Sequence, residues 1–209
     1  MIHRAIEERI HNAIAKKKAV TIMGPRQVGK STLADAIIPK DARILEINGD
    51  NTDVQTMFIN VDEAKMKVLI GNKNFLFVDE AQKIENVGNM LKIVAEKFKD
   101  VKIIVTGSSA FKLAEAVNES LTGRKREFKL YPLSFKEMAD DTSVLEESRM
   151  IDHRLIYGYY PEVVTSVGDE KEVLKELIDS YLYKDVMEEN NIAKPDKLVK
   201  LVQALAFQI

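Results

Sequence analysis

The sequence predicts an α/β fold built on a buried parallel sheet, on three observations. Short apolar runs rich in β-branched residues alternate with stretches of helical periodicity. Several of these runs end in small, polar or acidic residues, among them Met23-Gly24, Val78-Asp79-Glu80 and Val105-Thr106-Gly107-Ser108. The first of them runs directly into a glycine loop that opens a helix.

Residues 2–16 place Ile2, Ala5, Ile6, Ile10, Ala13 and Ile14 on one helical face, with Arg4, Glu7, Glu8 and Lys16 largely elsewhere. This predicts an amphipathic helix packed on the domain. Ala19 to Met23 reads as a buried parallel strand. After the loop, Leu33, Ala36, Ile37 and Ile38 continue a helix that Pro39 stops. Arg43 to Asn48 alternates as a second strand and ends in the turn Asn48-Gly49-Asp50-Asn51. Asp53 to Leu69 is expected to be helical. Asn74 to Glu80 then forms a strand that delivers Asp79 and Glu80 to its C-terminal edge, where open α/β sheets bind ligands. A helix over 87–99, a strand over 102–106 ending at Gly107-Ser108-Ser109, a helix over 111–121 and a fifth strand over 126–130 follow. From Ser134 helical patterns dominate, which divides the chain into an α/β core, residues 1–133, and a helical region, residues 134–209.

The chemistry starts at Gly24-Pro25-Arg26-Gln27-Val28-Gly29-Lys30-Ser31-Thr32, which matches the P-loop pattern of two glycines followed by Lys and Ser or Thr. Glycines let the backbone turn tightly and wrap its N–H groups round phosphates at a helix N-terminus. Lys30 is placed to neutralise β/γ-phosphates, and the Ser31 hydroxyl to ligate magnesium. Asp79 would accept a hydrogen bond from a metal-bound water, so Ser31 and Asp79 are the expected metal residues. Glu80, next in the chain, is the expected general base for water attack on the γ-phosphate. Ser108 or Ser109, with Thr106, would hold that water or sense the γ-phosphate. Arg124 and Arg126, in Gly123-Arg124-Lys125-Arg126, are candidates for an arginine that stabilises the transferring phosphoryl group.

Composition excludes several classes. A chain of 209 residues with 45% hydrophobic and 31% charged residues is that of a soluble globular protein. The net charge of -2, from 31 basic and 33 acidic side chains, gives no broad cationic field. With no cysteine there is no disulfide framework or thiolate metal site, which fits a reducing cytoplasm. The isolated His3, His11 and His153 have no metal-site spacing. The charged N-terminus is not a secretory signal, and no apolar run approaches the roughly 20 residues that span a bilayer. Guanine specificity is unsupported, because the Asn72-Lys73 pair precedes the acidic strand and continues as Asn74-Phe75. The Asp79-Glu80 pair favours water over a small-molecule acceptor.

Taken in order, the loop at 24–32, Phe77-Val78-Asp79-Glu80-Ala81-Gln82, Thr106-Gly107-Ser108-Ser109, Glu119 to Arg124 and Tyr131-Pro132-Leu133-Ser134-Phe135 resemble the signatures of AAA-type ATPases found in many bacteria and archaea. Gly158-Tyr159-Tyr160-Pro161-Glu162 and Tyr181 to Val186 are similar to that family as well. The resemblance implies an AAA-like core of strand order 5-1-4-3-2, ATP and magnesium as ligands, Glu80 as catalytic base and Arg124 as a finger. In many such proteins the sensor position is Asn, where this chain has Ser108 or Ser109. Members of the family usually continue into a C-terminal winged-helix and nuclease-like region. The chain ends about where that region would begin, so any activity located there is expected to be absent.

The reading is therefore a magnesium-dependent ATPase, cytoplasmic and without a membrane partner. It leaves open a homo-oligomer in which the arginine finger acts in trans. A second reading is a nucleotide-dependent switch with negligible turnover, acting on DNA or a protein. A third, a nucleic-acid remodeller, rests on Lys16 to Lys18 and Gly123 to Arg126.

Overall fold

The structure is a computed structural model that describes residues 1–108, 120–179 and 195–207. Ser109, most of the helix expected over 111–121 and the Tyr181 to Val186 motif lie outside the described residues. The described chain divides into two compact units, Met1–Ser148 and Arg149–Ile209.

The first unit is organised on five strands: β1 (Ala19–Met23), β2 (Ile44–Asn48), β3 (Phe75–Asp79), β4 (Lys102–Gly107) and β5 (Lys125–Lys129). They form one parallel sheet in the order β2-β3-β4-β1-β5, the order expected from sequence. Helices α1 (Glu7–Ala15), α2 (Lys30–Ile37), α3 (Thr52–Phe58), α4 (Glu63–Ile70) and α5 (Val87–Lys97) flank it. Strand side chains alternate between two cores, because the pleat points successive residues to opposite faces. Phe75, Phe77, Ile104, Val20 and Ile22 pack with Ile10, Ile14, Leu33 and Ile37 of α1 and α2. Leu76, Val78, Ile103 and Val105 pack on the opposite face with Met66, Ile70, Leu91 and Val94 of α4 and α5. Buried on both faces, β1 and β3 have the continuous apolar runs that made them legible as parallel strands.

The helix expected over 53–69 is two helices. Asp62 adopts an extended backbone and its side chain accepts from the Lys65 N–H, capping α4, while Val61 beside it is buried at 8% exposure. A new cap and an inward apolar residue end one helix and start the next.

The first unit also continues past Leu133, where the sequence placed a boundary, because the chain there is tied back to its own beginning. Helix α6 (Phe135–Asp141) opens with a capping box between Ser134 and Glu137. Glu137 Oε1 accepts from Arg4 Nε at 3.1 Å and from the Ala5 N–H at 2.9 Å. The remaining Arg4 donors reach the Val28 carbonyl at 3.0 Å and the Tyr131 carbonyl at 2.6 Å. One buried guanidinium thus joins the glycine loop, the exit of β5 and the start of α6.

In the second unit, the helices among the described residues include α7 (Ile151–Tyr157), α8 (Pro161–Thr165), α9 (Glu170–Leu177) and α10 (Pro195–Ala206). His153 Nε2 lies 3.3 Å from Glu170 Oε1, and the His153 and Tyr157 rings are 4.6 Å apart. Among the described residues no helix is long and apolar enough to cross a membrane.

Burial alone would push the Glu137 carboxyl up, but the amides of Ala5 and Ser134 and the Arg4 guanidinium together hold it below the usual carboxylate range. A carboxyl held low when folded stabilises above its unfolded pKa, and that contribution is lost as pH falls through the folded value. Arg4→Ala leaves a buried carboxylate without its cation, and is expected to cost about 3 kcal/mol in urea unfolding at neutral pH. The deficit should shrink as the solution is acidified below the ordinary carboxylate range. A deficit independent of pH would contradict this account.

Candidate phosphate site

The exits of β1, β3 and β4 meet at one edge of the sheet. Met23 pairs with Gly107 and Ile22 with Thr106 across β1 and β4, and Val78 pairs with Val105 across β3 and β4. The glycine loop, the Asp79-Glu80 pair and the Thr106 to Ser108 tip are therefore neighbours.

Gly24 leaves β1 against the β5 exit: a Cβ there would stand 2.3 Å from the Leu130 carbonyl oxygen. Only glycine permits that approach. Pro25, Arg26 and Gln27 form the outer part of the loop, with Gln27 at φ 58°. Val28 turns inward and is fully buried. Gly29, at φ 94°, is the N-cap of α2 and turns the chain into Lys30.

Lys30 is 5% exposed. Its ammonium donates to the carbonyls of Gly24 and Pro25, each at 3.0 Å, and lies 3.7 Å from Glu80 Oε1. The cation is thus held over the mouth of its own loop. Ser31 Oγ donates to Asp79 Oδ2 at 2.8 Å. The other Asp79 oxygen accepts from Thr106 Oγ1 and from the Glu80 N–H. Thr32, one residue on, is exposed on α2.

Glu80 sits in the left-handed region at φ 47° and ψ 44°, and this turns its carboxylate back over the strand end. Its Oε2 accepts from Gln82 Nε2 at 2.5 Å and from Ser108 Oγ at 3.0 Å, and Gln82 also donates to Ser108 Oγ at 3.0 Å. Two donors therefore aim the carboxylate, with its other oxygen toward Lys30.

Of the residues expected from sequence, Gly24 to Thr32, Asp79, Glu80 and Ser108 come together. Arg124 does not join them. Its carbonyl accepts from the Ala19 N–H at the entry of β1, so it lies at the opposite edge of the sheet. Five residues of strand at about 3.3 Å each put it about 15 Å from the loop. There Arg124 Nη1 is 2.9 Å from Glu96 Oε1, and this contact holds the Glu96 carboxyl below its usual range. Arg126, paired with Val20 in β5, is likewise below the exits.

Three contributors escaped the sequence reading. Gln82 closes the Phe77 to Gln82 motif, where the sequence assigns it no role. Arg4 falls off the apolar face of the first helical pattern, yet it is buried. Gly49 read as a turn residue, yet its N–H donates to the Asp79 carbonyl at 2.8 Å, and a Cβ would stand 2.3 Å from the Glu80 carbonyl. Only the register of β2 on β3, Asn48 opposite Asp79, places that turn behind the acidic pair.

The model of the AAA domain family matches residues 16–139, and the chain belongs to that family. A domain of unknown function matches residues 148–209. An uncharacterized protein of Methanocaldococcus jannaschii is 28% identical over 90% of this chain and 46% of its own length. An uncharacterized protein of Haemophilus influenzae is 30% identical over 66% of this chain and 35% of its own length. The chain thus spans less than half of the curated relatives it matches. The fold is also that of a signal transduction ATPase with numerous domains from Pyrococcus horikoshii, at TM-score 0.53 and 14% identity over 78% of this chain and 29% of that one.

Because the Gly49 contact is to backbone, it cannot relax by turning a side chain. Gly49→Ala is expected to cost about 1–3 kcal/mol, read as a fall of several degrees in Tm by scanning calorimetry. An unchanged Tm would show that the turn behind Glu80 is not tightly packed.

Proposed function

We propose that the chain is a cytoplasmic ATPase that hydrolyses ATP with magnesium by water attack on the γ-phosphate. The observation that carries this reading is the carboxylate of Glu80, aimed by Gln82 and Ser108 and 3.7 Å from the Lys30 ammonium. The donor set suits magnesium: one hydroxyl and one carboxylate, Ser31 and Asp79, are what a cation that keeps most of its shell as water and phosphate requires. Among the described residues no group of three acidic or histidine side chains offers a fuller protein cage. Bound there, magnesium would supply positive charge to the β- and γ-phosphate oxygens.

Each residue then has a task. The loop amides after Pro25, from Arg26 to Gly29, and the start of α2 receive the phosphates. Lys30 exchanges the Gly24 and Pro25 carbonyls for β/γ-oxygens. Glu80 takes a proton from water as its oxygen bonds to γ-phosphorus, the bond to the β–γ bridging oxygen breaks, and ADP and phosphate leave. Ser108 and Gln82 hold Glu80 in place for that transfer. Arg124, at the far edge, acts on a phosphoryl group only in trans, from a second copy of the chain.

Glu80→Gln should leave ATP affinity nearly intact and lower kcat about a hundredfold or more, the scale of lost general-base assistance. Lys30→Ala should abolish measurable ATP binding by titration calorimetry. Normal turnover in the first variant would refute the role of Glu80, and wild-type affinity in the second that of the loop.

The second reading, a nucleotide-dependent switch with negligible turnover, is favoured by the same two hydrogen bonds on Glu80 Oε2, which occupy one oxygen of the base. Single-turnover phosphate release from a chain saturated with ATP separates the two.

A further inference from the structure

The edge of the sheet opposite the phosphate site carries a charge pattern of which the ATPase reading uses Arg124 alone, and that only in trans. Two hollows lie there side by side. One, of about 280 Å³, is lined by Lys17, Lys18, Lys99, Lys102 and Arg124 against the single carboxylate of Asp100. The other, of about 300 Å³, is lined by Arg9, Lys16, Lys18 and Arg126 against Glu127. Lys18 belongs to both, so they form one surface lined by eight cations and two carboxylates, with a third carboxylate, Glu96, paired to Arg124. In a chain with 31 basic and 33 acidic side chains, that is a strong local segregation of charge.

The fold builds this surface from separate stretches. The Ala19 N–H donates to the Arg124 carbonyl at 2.9 Å and Lys18 Nζ to the Gly123 carbonyl at 2.6 Å, which brings the lysine triplet against the Gly123 to Arg126 turn. Arg9 of helix α1 and Lys16 at its C-cap add two more, seven residues, two turns and about 10 Å apart on one face. The approach to β4 adds Lys99 and Lys102. Aromatic rings support two of the heads: the Lys102 ammonium is 5.0 Å from the Phe75 ring centre and the Arg9 guanidinium 5.7 Å from that of Phe128. Lys17 is paired with Asp100 at 3.1 Å and Arg124 with Glu96. Lys16, Lys99 and Arg126 make no ion pair among the described residues.

We propose that this surface binds the phosphate backbone of a nucleic-acid duplex, independently of sequence. Two adjoining hollows exceed what one nucleotide fills, and a row of cations matches a ligand of repeating charge. Five of the eight cations are lysines, point charges that take phosphates in any orientation, as contact with a backbone independent of sequence requires. The phenyl ring of Phe128 is buried under Arg9 and not presented for base stacking, which favours a duplex over a single strand. The surface lies about 15 Å from the glycine loop, the length of β1, so the duplex and a nucleotide occupy separate places.

The test is fluorescence anisotropy of a short labelled DNA duplex of mixed sequence, titrated with the 209-residue chain between about 50 and 200 mM salt. The expected result is binding whose log affinity falls with log salt at a slope of about -3 or steeper. Lys16→Glu with Lys99→Glu should weaken it about tenfold or more at the lowest salt. The same pair changed to Arg should retain affinity, which separates loss of charge from damage to the fold. Lys30→Ala, at the phosphate site, should bind the duplex as the unaltered chain does. The proposal is overturned by absence of binding at the lowest salt, by a slope near zero, or by full affinity in the charge-reversed variant. It is equally overturned by loss of duplex binding in Lys30→Ala, by single strands binding more tightly, or by polyglutamate displacing the duplex as well as unlabelled DNA does.

Discussion

The register of three parallel strands, β1, β4 and β3, is the constraint on which the rest of the site depends. It brings Met23, Thr106, Gly107 and the end of Val78 level with one another, so the residues that follow each strand share one edge. A one-residue slip of β3 would turn Asp79 to the other face of the sheet and separate it from Ser31 and Thr106. The two apolar cores resist such a slip, since Phe75 and Phe77 would exchange places with Leu76 and Val78. Packing across the whole sheet thus sets where Asp79, Glu80, Thr106 and Ser108 stand relative to the glycine loop.

On that frame the charged groups and hydroxyls of the site pair with one another, while the buried Oε1 of Gln82 has no hydrogen-bond partner. Lys30 donates to carbonyls of its own loop and Ser31 to Asp79, so neither is left as a buried unpaired group. Arg4 has a parallel role beneath the loop. It fixes the Val28 carbonyl from the inner side and ties it to the exit of β5 and to α6. The loop is held from behind by a guanidinium and closed in front by an ammonium.

Much of this was legible in the sequence because it is local. Apolar runs buried on both faces, a glycine pattern and two consecutive carboxylates each occupy a few neighbouring residues. The parts that were not legible are long-range. Arg4 and Glu137 are 133 residues apart, and nothing in either neighbourhood shows that they pair. Gly49 supports Glu80 only through the β2–β3 register, and Gln82 acquires a role only once β4 brings Ser108 beside it. Arg124 was grouped with the phosphate site on motif order. Its distance from that site follows from direction alone: in a parallel sheet a residue preceding β5 stands at the entry edge, opposite the exits of β1 and β3. The same geometry gathers the cations of the far edge.

The most direct measurement of the central claim is a crystal structure of the chain with magnesium and a non-hydrolysable ATP analogue. The account predicts triphosphate wrapped by Gly24 to Gly29, with the Lys30 ammonium moved from the Gly24 and Pro25 carbonyls onto β/γ-oxygens. It also predicts the ion against Ser31, and a water between Glu80 and the γ-phosphorus. Triphosphate bound elsewhere, or Lys30 still on its own loop carbonyls with the analogue present, would contradict it.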